Sequence, residues 1–204
     1  MALVLNGSGT IQSDDITLSG NANVTGAFAV TGDMGIAAAD LPTGSVLQVV
    51  STNKTDTFTS ATEQIWTDIT GMSVSITPSS TSSKIIIIVS MFGVFWQTGY
   101  NGCILSLLRN STAIGGGTSA GSRSSVIGTQ GMTQQSVGVK LDAGVQYHVT
   151  YIDSPSTTSA TTYKMQFWQD TPAHPIYVNR TNNDGNSPAW PRTSSSIIAM
   201  EIAG

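Results

Sequence analysis

The chain has 204 residues, 39% hydrophobic and only 10% charged, with a formal net charge of −4 and 8 Lys plus Arg in all. That length holds one domain of roughly 150 residues plus an extension. So few cations leave no basic stripe to neutralise phosphates, which argues against nucleic-acid binding. A single cysteine, Cys103, excludes an intrachain disulfide framework and a multi-Cys metal site.

Ser and Thr take the place of the missing charges. Thr is β-branched and both residues suit turns and strand exteriors, so the composition points to β-structure. The start, Met1-Ala2-Leu3-Val4-Leu5, lacks the basic and long apolar regions of a secretory signal. Leu3, Val4 and Leu5 read as a short strand whose free edge can add to a partner's sheet, an anchoring candidate. Three six-residue units follow in register: Leu18-Ser19-Gly20, Val24-Thr25-Gly26 and Val30-Thr31-Gly32. Each offers one apolar residue and a bend, too little for a core unless rows stack along the chain or between chains. Residues 1–43 are therefore expected to be an arm for anchoring and trimerisation, ended by the breaker Leu41-Pro42-Thr43-Gly44.

From Ser45 the pattern is one of successive strands. They are expected at residues 46–51, 63–69, 72–76, 84–96, 103–109, 124–129, 136–141, 145–152, 162–169, 176–180 and 195–202. Residues 85–89, Ile-Ile-Ile-Ile-Val, are continuous and β-branched, as in a strand covered on both faces. The apolar run from 85 to 96 is broken by Ser90 and Gly93 and is too short to span a bilayer, so no membrane insertion is expected. No stretch keeps a 3.6-residue period, and so many short strands predict a β-sandwich, with a jelly roll as the preferred form. Two long loops, 111–123 and 181–193, are interaction candidates.

Chemistry is sparse. Gly117-Thr118-Ser119-Ala120-Gly121 matches the nucleophile-elbow pattern but lacks the strand before and helix after that the mechanism needs, so it is read as a linker-like loop. His148 lies on a strand and His174 in a turn, with no carboxylate cluster beside either, and no metal or other cofactor is expected. Residues 182–186 lack the carboxylates of a calcium loop and read as a turn. Cys103, among apolar neighbours, reads as a buried inert thiol. No catalytic residue is assigned. Phe92, Phe95, Trp96 and Tyr100 are the densest aromatic cluster, candidates for core packing or, for Phe92, Phe95 and Trp96, a subunit contact. Asn182, Asp184 and Trp190 are candidates for an exposed binding loop that stacks on a host sugar.

Several segments carry a family likeness. Residues 41–51 (Leu-Pro-Thr-Gly-Ser-Val-Leu-Gln-Val-Val-Ser) open the body, and residues 66–78, from Trp66-Thr67-Asp68-Ile69 to Thr77-Pro78, lead into the Ser/Thr turn before Lys84-Ile85. Tyr177-Val178-Asn179-Arg180 and residues 191–202 complete the pattern. The chain from about residue 41 to its end resembles the repeated module of tailed-phage virion structural proteins, especially those of cyanophages and marine phages. The resemblance implies a trimeric jelly roll, laid out like the tumour-necrosis-factor and C1q heads, on a virion surface. The expectation is a head at 44–204 and an arm at 1–43, forming a non-enzymatic homotrimeric capsid decoration (cement) protein made in the host cytoplasm. Its partners would be its own copies, the major capsid protein or another virion protein, and in addition a host surface glycan. The competing readings are a short tail or head fibre that binds a receptor, and, further off, a tail spike that cleaves polysaccharide.

Overall fold

A computed structural model describes residues 41–94, 103–130, 144–169 and 175–204. All belong to one of the two compact units into which the chain divides, Ala37–Gly204. The anchoring candidates Leu3, Val4 and Leu5, the six-residue repeats, Phe95, Trp96, Tyr100, His174 and the expected strand at 136–141 lie outside the described residues.

Eleven strands and no helix make up the described residues. They are β1 (Val46–Lys54), β2 (Phe58–Ser60), β3 (Thr67–Ile76), β4 (Lys84–Val94), β5 (Cys103–Arg109), β6 (Thr112–Ile114), β7 (Gly128–Gln130), β8 (Val145–Asp153), β9 (Thr161–Trp168), β10 (Ile176–Val178) and β11 (Ser195–Ile202). All pair antiparallel in two sheets, giving an all-β sandwich. The first sheet runs β1-β11-β4-β10-β2, with β8 along the other edge of β4; the second runs β3-β9-β5-β6, with β7 also on β5.

Expected and observed strands coincide at β5 and β11 and differ by a few residues at β1, β4, β7, β8, β9 and β10, while β2 and β6 are not among those expected. The two strands expected at 63–69 and 72–76 are one, β3, whose pairing with β9 shifts register between Asp68 and Ser73. Gly71, at φ +84, lies in that irregularity, where the Lys54 side chain packs about 3.3 Å from where a Cβ would stand. An inserted bend of this kind is a β-bulge, and glycine takes its left-handed backbone without strain. Strands β2 and β6 are three residues each, too short to show an alternation.

The core lies between the sheets and follows the period-2 rule that strand geometry imposes. Ile85, Ile87, Val89 and Met91 of β4 and Ile197 and Ala199 of β11 face Leu105 and Leu107 of β5 and Tyr163, Met165 and Phe167 of β9, all of them buried. Burying each large apolar side chain contributes about 1.5–3 kcal/mol. Asp153 enters this interior only with partners: Arg109 Nη1 donates to both its oxygens at 3.0 and 3.1 Å, and Tyr163 Oη donates at 2.7 Å. Burial first, then the facing Asp153 carboxylate, push the Tyr163 phenol well above its ordinary pKa.

Candidate functional site: an apolar sheet face and a covered groove

The outer face of the first sheet is where the molecule departs from an ordinary soluble sandwich. Pairing registers place side chains in rows across four strands. One row reads Val49, Met200, Ile86, Ile152; the next reads Ser51, Ile198, Ile88, Thr150. Before them stand Val46 and Ile202, and after them come Asn53, Ser196, Ser90 and His148. Val46, Val49 and Ile152 are each more than half exposed, while Ile86, Ile88, Ile198 and Met200 are half-buried only by one another and their neighbours. One half of the face is thus apolar and continuous. The other half is hydroxyl and amide, with Gln146 Nε2 donating to Ser90 Oγ at 2.8 Å.

The continuous isoleucine run of β4 now has an explanation. Ile85, Ile87 and Val89 point into the core, and Ile86 and Ile88 point the other way, onto this face. Among the described residues, the expectation of cover on both faces is met on one side only. Solvent-facing strands normally carry polar residues there, because an apolar patch in water costs about 25 cal/mol per Å². Phe92 is on the same outer face, half-buried, and packs near Gly144. The face bears almost no charge: Lys84 lies at its apolar margin and His148 in its polar half.

The loop that carries Asn182, Asp184 and Trp190 is tied to itself. Asp184 takes two cations, Arg192 at 2.6 Å and Arg180 at 3.3 Å, and Arg180 also stacks on Tyr177 with its guanidinium 4.6 Å from the ring centre. Arg180 Nη2 donates to the Asn182 carbonyl at 3.0 Å, and Thr181 Oγ1 donates to that of Asn183 at 2.5 Å. Trp190 is half-buried, and a Cβ at Gly185 would stand 3.7 Å from its indole. Trp190 thus packs in part within its own loop and stays in part open.

The other long loop has more structure than a linker. Gly115 has φ +71, and a Cβ on Gly116 would stand 2.8 Å from the Ser125 carbonyl carbon, so the glycine pair lets the loop fold back against itself. It settles on the outer face of the second sheet and covers Ser106 and Leu108, which point away from the core yet are only 3% and 6% exposed. Between this loop and Trp66 runs a groove of about 440 Å³. Sequence reasoning singled out the loop but not the groove, because Trp66 is remote from it in the chain and meets it only through the pairing of β3, β9 and β5.

Ser119 is exposed in this loop, with neither the strand nor the helix of a nucleophile elbow around it. Cys103 is buried, and burial pushes its thiol up to about 12, which keeps it protonated and inert. Among the described residues no group of three or more His, Cys, Asp or Glu could hold a metal, and no helix is long and apolar enough to cross a membrane. The chain matches no protein-family model and no curated protein sequence.

Proposed function

We propose that this chain is a non-enzymatic structural subunit of a virion, a homotrimer that decorates a capsid and is held there by its arm, residues 1–43. The observation that carries the reading is the apolar outer face of the first sheet. With strands about 4.8 Å apart and about 3.3 Å per residue, four strands over eight residues present roughly 500 Å², about half of it apolar. Buried against an equal area of a neighbouring copy, it approaches the ~1,000 Å² that a specific interface needs. A nearly uncharged face suits burial against another part of the next copy in a closed ring, since covering it strands almost no ion.

The strand order supports the finer description. The sequences β1-β11-β4-β8 and β3-β9-β5-β7, with the chain crossing repeatedly between sheets, are compatible with the jelly roll that the resemblance implies. The number three and the virion surface come from the sequence resemblance of residues 41–204. The position of Ser119 in a loop without elbow geometry and the buried, protonated thiol of Cys103 are consistent with a structural role. Native mass measurement at micromolar concentration is expected to give three chains, and quantified virions on the order of hundreds of copies each. A stable monomer defeats the trimer; a dozen or so copies per particle assign a fibre instead. Release of reducing ends from host polysaccharide by the purified protein would replace the structural reading with a cleaving spike.

A further inference from the structure

We infer that the groove between Trp66 and the loop after β6 binds a sugar bearing a carboxylate. The inference goes beyond the structural role and does not depend on it. Trp66 is 38% exposed, beside Ile65 at 63%, in a stretch where large apolar side chains would ordinarily turn inward. Their position is held from both sides. Gln64 N donates to the Gln169 carbonyl at 2.7 Å, Thr67 Oγ1 donates to the Ile65 carbonyl at 3.2 Å, and Thr67 pairs with Phe167 in the sheet. Gln64 adopts φ 51, a left-handed conformation uncommon for glutamine and of a kind that clusters at binding sites.

The other walls are polar in a specific way. Ser106 lies in the floor, Ser125 and Arg123 come from the loop, and Gln166 from β9. Gln166 Nε2 is committed to Asp68 Oδ1 at 2.7 Å, which leaves its amide carbonyl as an acceptor. Lys164 is likewise committed to Asp68, at 2.7 Å. Among the described residues, Arg123 takes part in none of the ion pairs and no carboxylate lines the groove. The site therefore combines an aromatic plane, several hydroxyls, an amide acceptor and one unpaired guanidinium.

That set matches the chemistry of an acidic pyranoside. The electron-rich face of an indole attracts the C–H face of a sugar ring, the ring hydroxyls exchange hydrogen bonds with Ser and Gln, and a planar guanidinium grips a carboxylate with two parallel bonds. A flat aromatic ligand would use Trp66 but leave the hydroxyls without partners. The volume falls within the roughly 300–1,000 Å³ usual for small-molecule sites. The same chemistry is offered by a free uronic acid and by a uronate within a surface polysaccharide.

The test uses the full chain labelled with fluorotryptophan, its Trp66 fluorine resonance assigned through Trp66→Phe. It is titrated with glucuronate, with a uronate-containing oligosaccharide and with a neutral glucose oligosaccharide of equal length. Both acidic probes are expected to move the Trp66 resonance saturably while the other three tryptophans stay in place, which also reports an intact fold. Equal affinity for the two assigns a single-sugar site; tighter binding of the oligosaccharide assigns a polymer. Arg123→Gln should weaken both at least about fivefold and leave the response to the neutral probe unchanged. An unmoved Trp66 resonance at about 10 mM acidic probe, or an Arg123→Gln variant with undiminished affinity, overturns the proposal.

Discussion

Glu201 shows how much a single buried carboxylate can organise. It is fully buried on β11, and its oxygens accept from Gln48 Nε2 at 2.5 Å, the Ser79 amide at 2.6 Å, and the Ser79 and Ser83 hydroxyls at 2.7 Å each. Burial works against the charged form, but the combined hydrogen bonds win and hold the carboxyl below its ordinary 4.5. The stability that follows is complete above the unfolded value near 4.5 and is lost as pH falls below it toward the folded value. Scanning calorimetry across that window should find the Glu201→Gln variant less stable near neutrality, with the gap to the wild type narrowing as pH drops. A second anchor is Asn179, fully buried at φ 61. Its Nδ2 donates to the Lys54 and Asp56 carbonyls at 2.8 and 2.9 Å, and its Oδ1 accepts from Ser195 Oγ at 2.6 Å. Asn179→Ala should cost about 2–4 kcal/mol in urea unfolding, since it abandons three partners and keeps the strained backbone. Asn179→Gly should cost less, because glycine takes that φ freely.

At the scale of elements, β4 serves two surfaces at once. Its odd residues from Ile85 to Met91 fill the core, while Ile86 and Ile88 stand in the centre of the exposed apolar face. Substitutions on the two sides should therefore fail differently. Ile88→Asp places a charge where a partner copy would pack and should give a folded monomer, seen as an unchanged β-type circular dichroism spectrum at one third of the native mass. Ile87→Ala opens a cavity between the sheets and should cost about 2–5 kcal/mol of stability, read by urea denaturation.

For the molecule as a whole, the contacts expected between copies are apolar and almost uncharged. The mass of the proposed trimer should therefore be nearly independent of salt from about 0.05 to 1 M, because screening acts on ion pairs and leaves apolar burial intact. Sedimentation velocity across that range checks it, and dissociation in high salt would point to a charged interface instead. The arm has its own test. Removing residues 2–20 takes away Leu3, Val4 and Leu5 and should leave a head that folds and trimerises but no longer joins the particle. Purified virions assembled with that deletion, assayed for the subunit, give the answer.

Strand positions were legible in the sequence because alternation and turn residues are local signals. Residues 103–109 and 195–202 read as strands from their own side chains, and the structure places β5 and β11 there. The inertness of Cys103 and the lack of an elbow around Ser119 were equally local. The isoleucine run of β4 signalled two-sided cover, but which of its faces met the core and which was left open depended on the second sheet, whose β5 and β9 pack on one face only. Trp190 looked exposed between two prolines, yet packing within its own loop half-buries it. The Trp66 groove was invisible for the same reason that it exists: residues 66, 106, 123 and 166 are brought together by long-range strand pairing. What the sequence by itself determined was the class of fold and the longer strands that build it, since a long strand's pattern is written in its own residues. What only the tertiary structure decided was which surfaces remain open, because exposure belongs to the way strands pair and to no single segment.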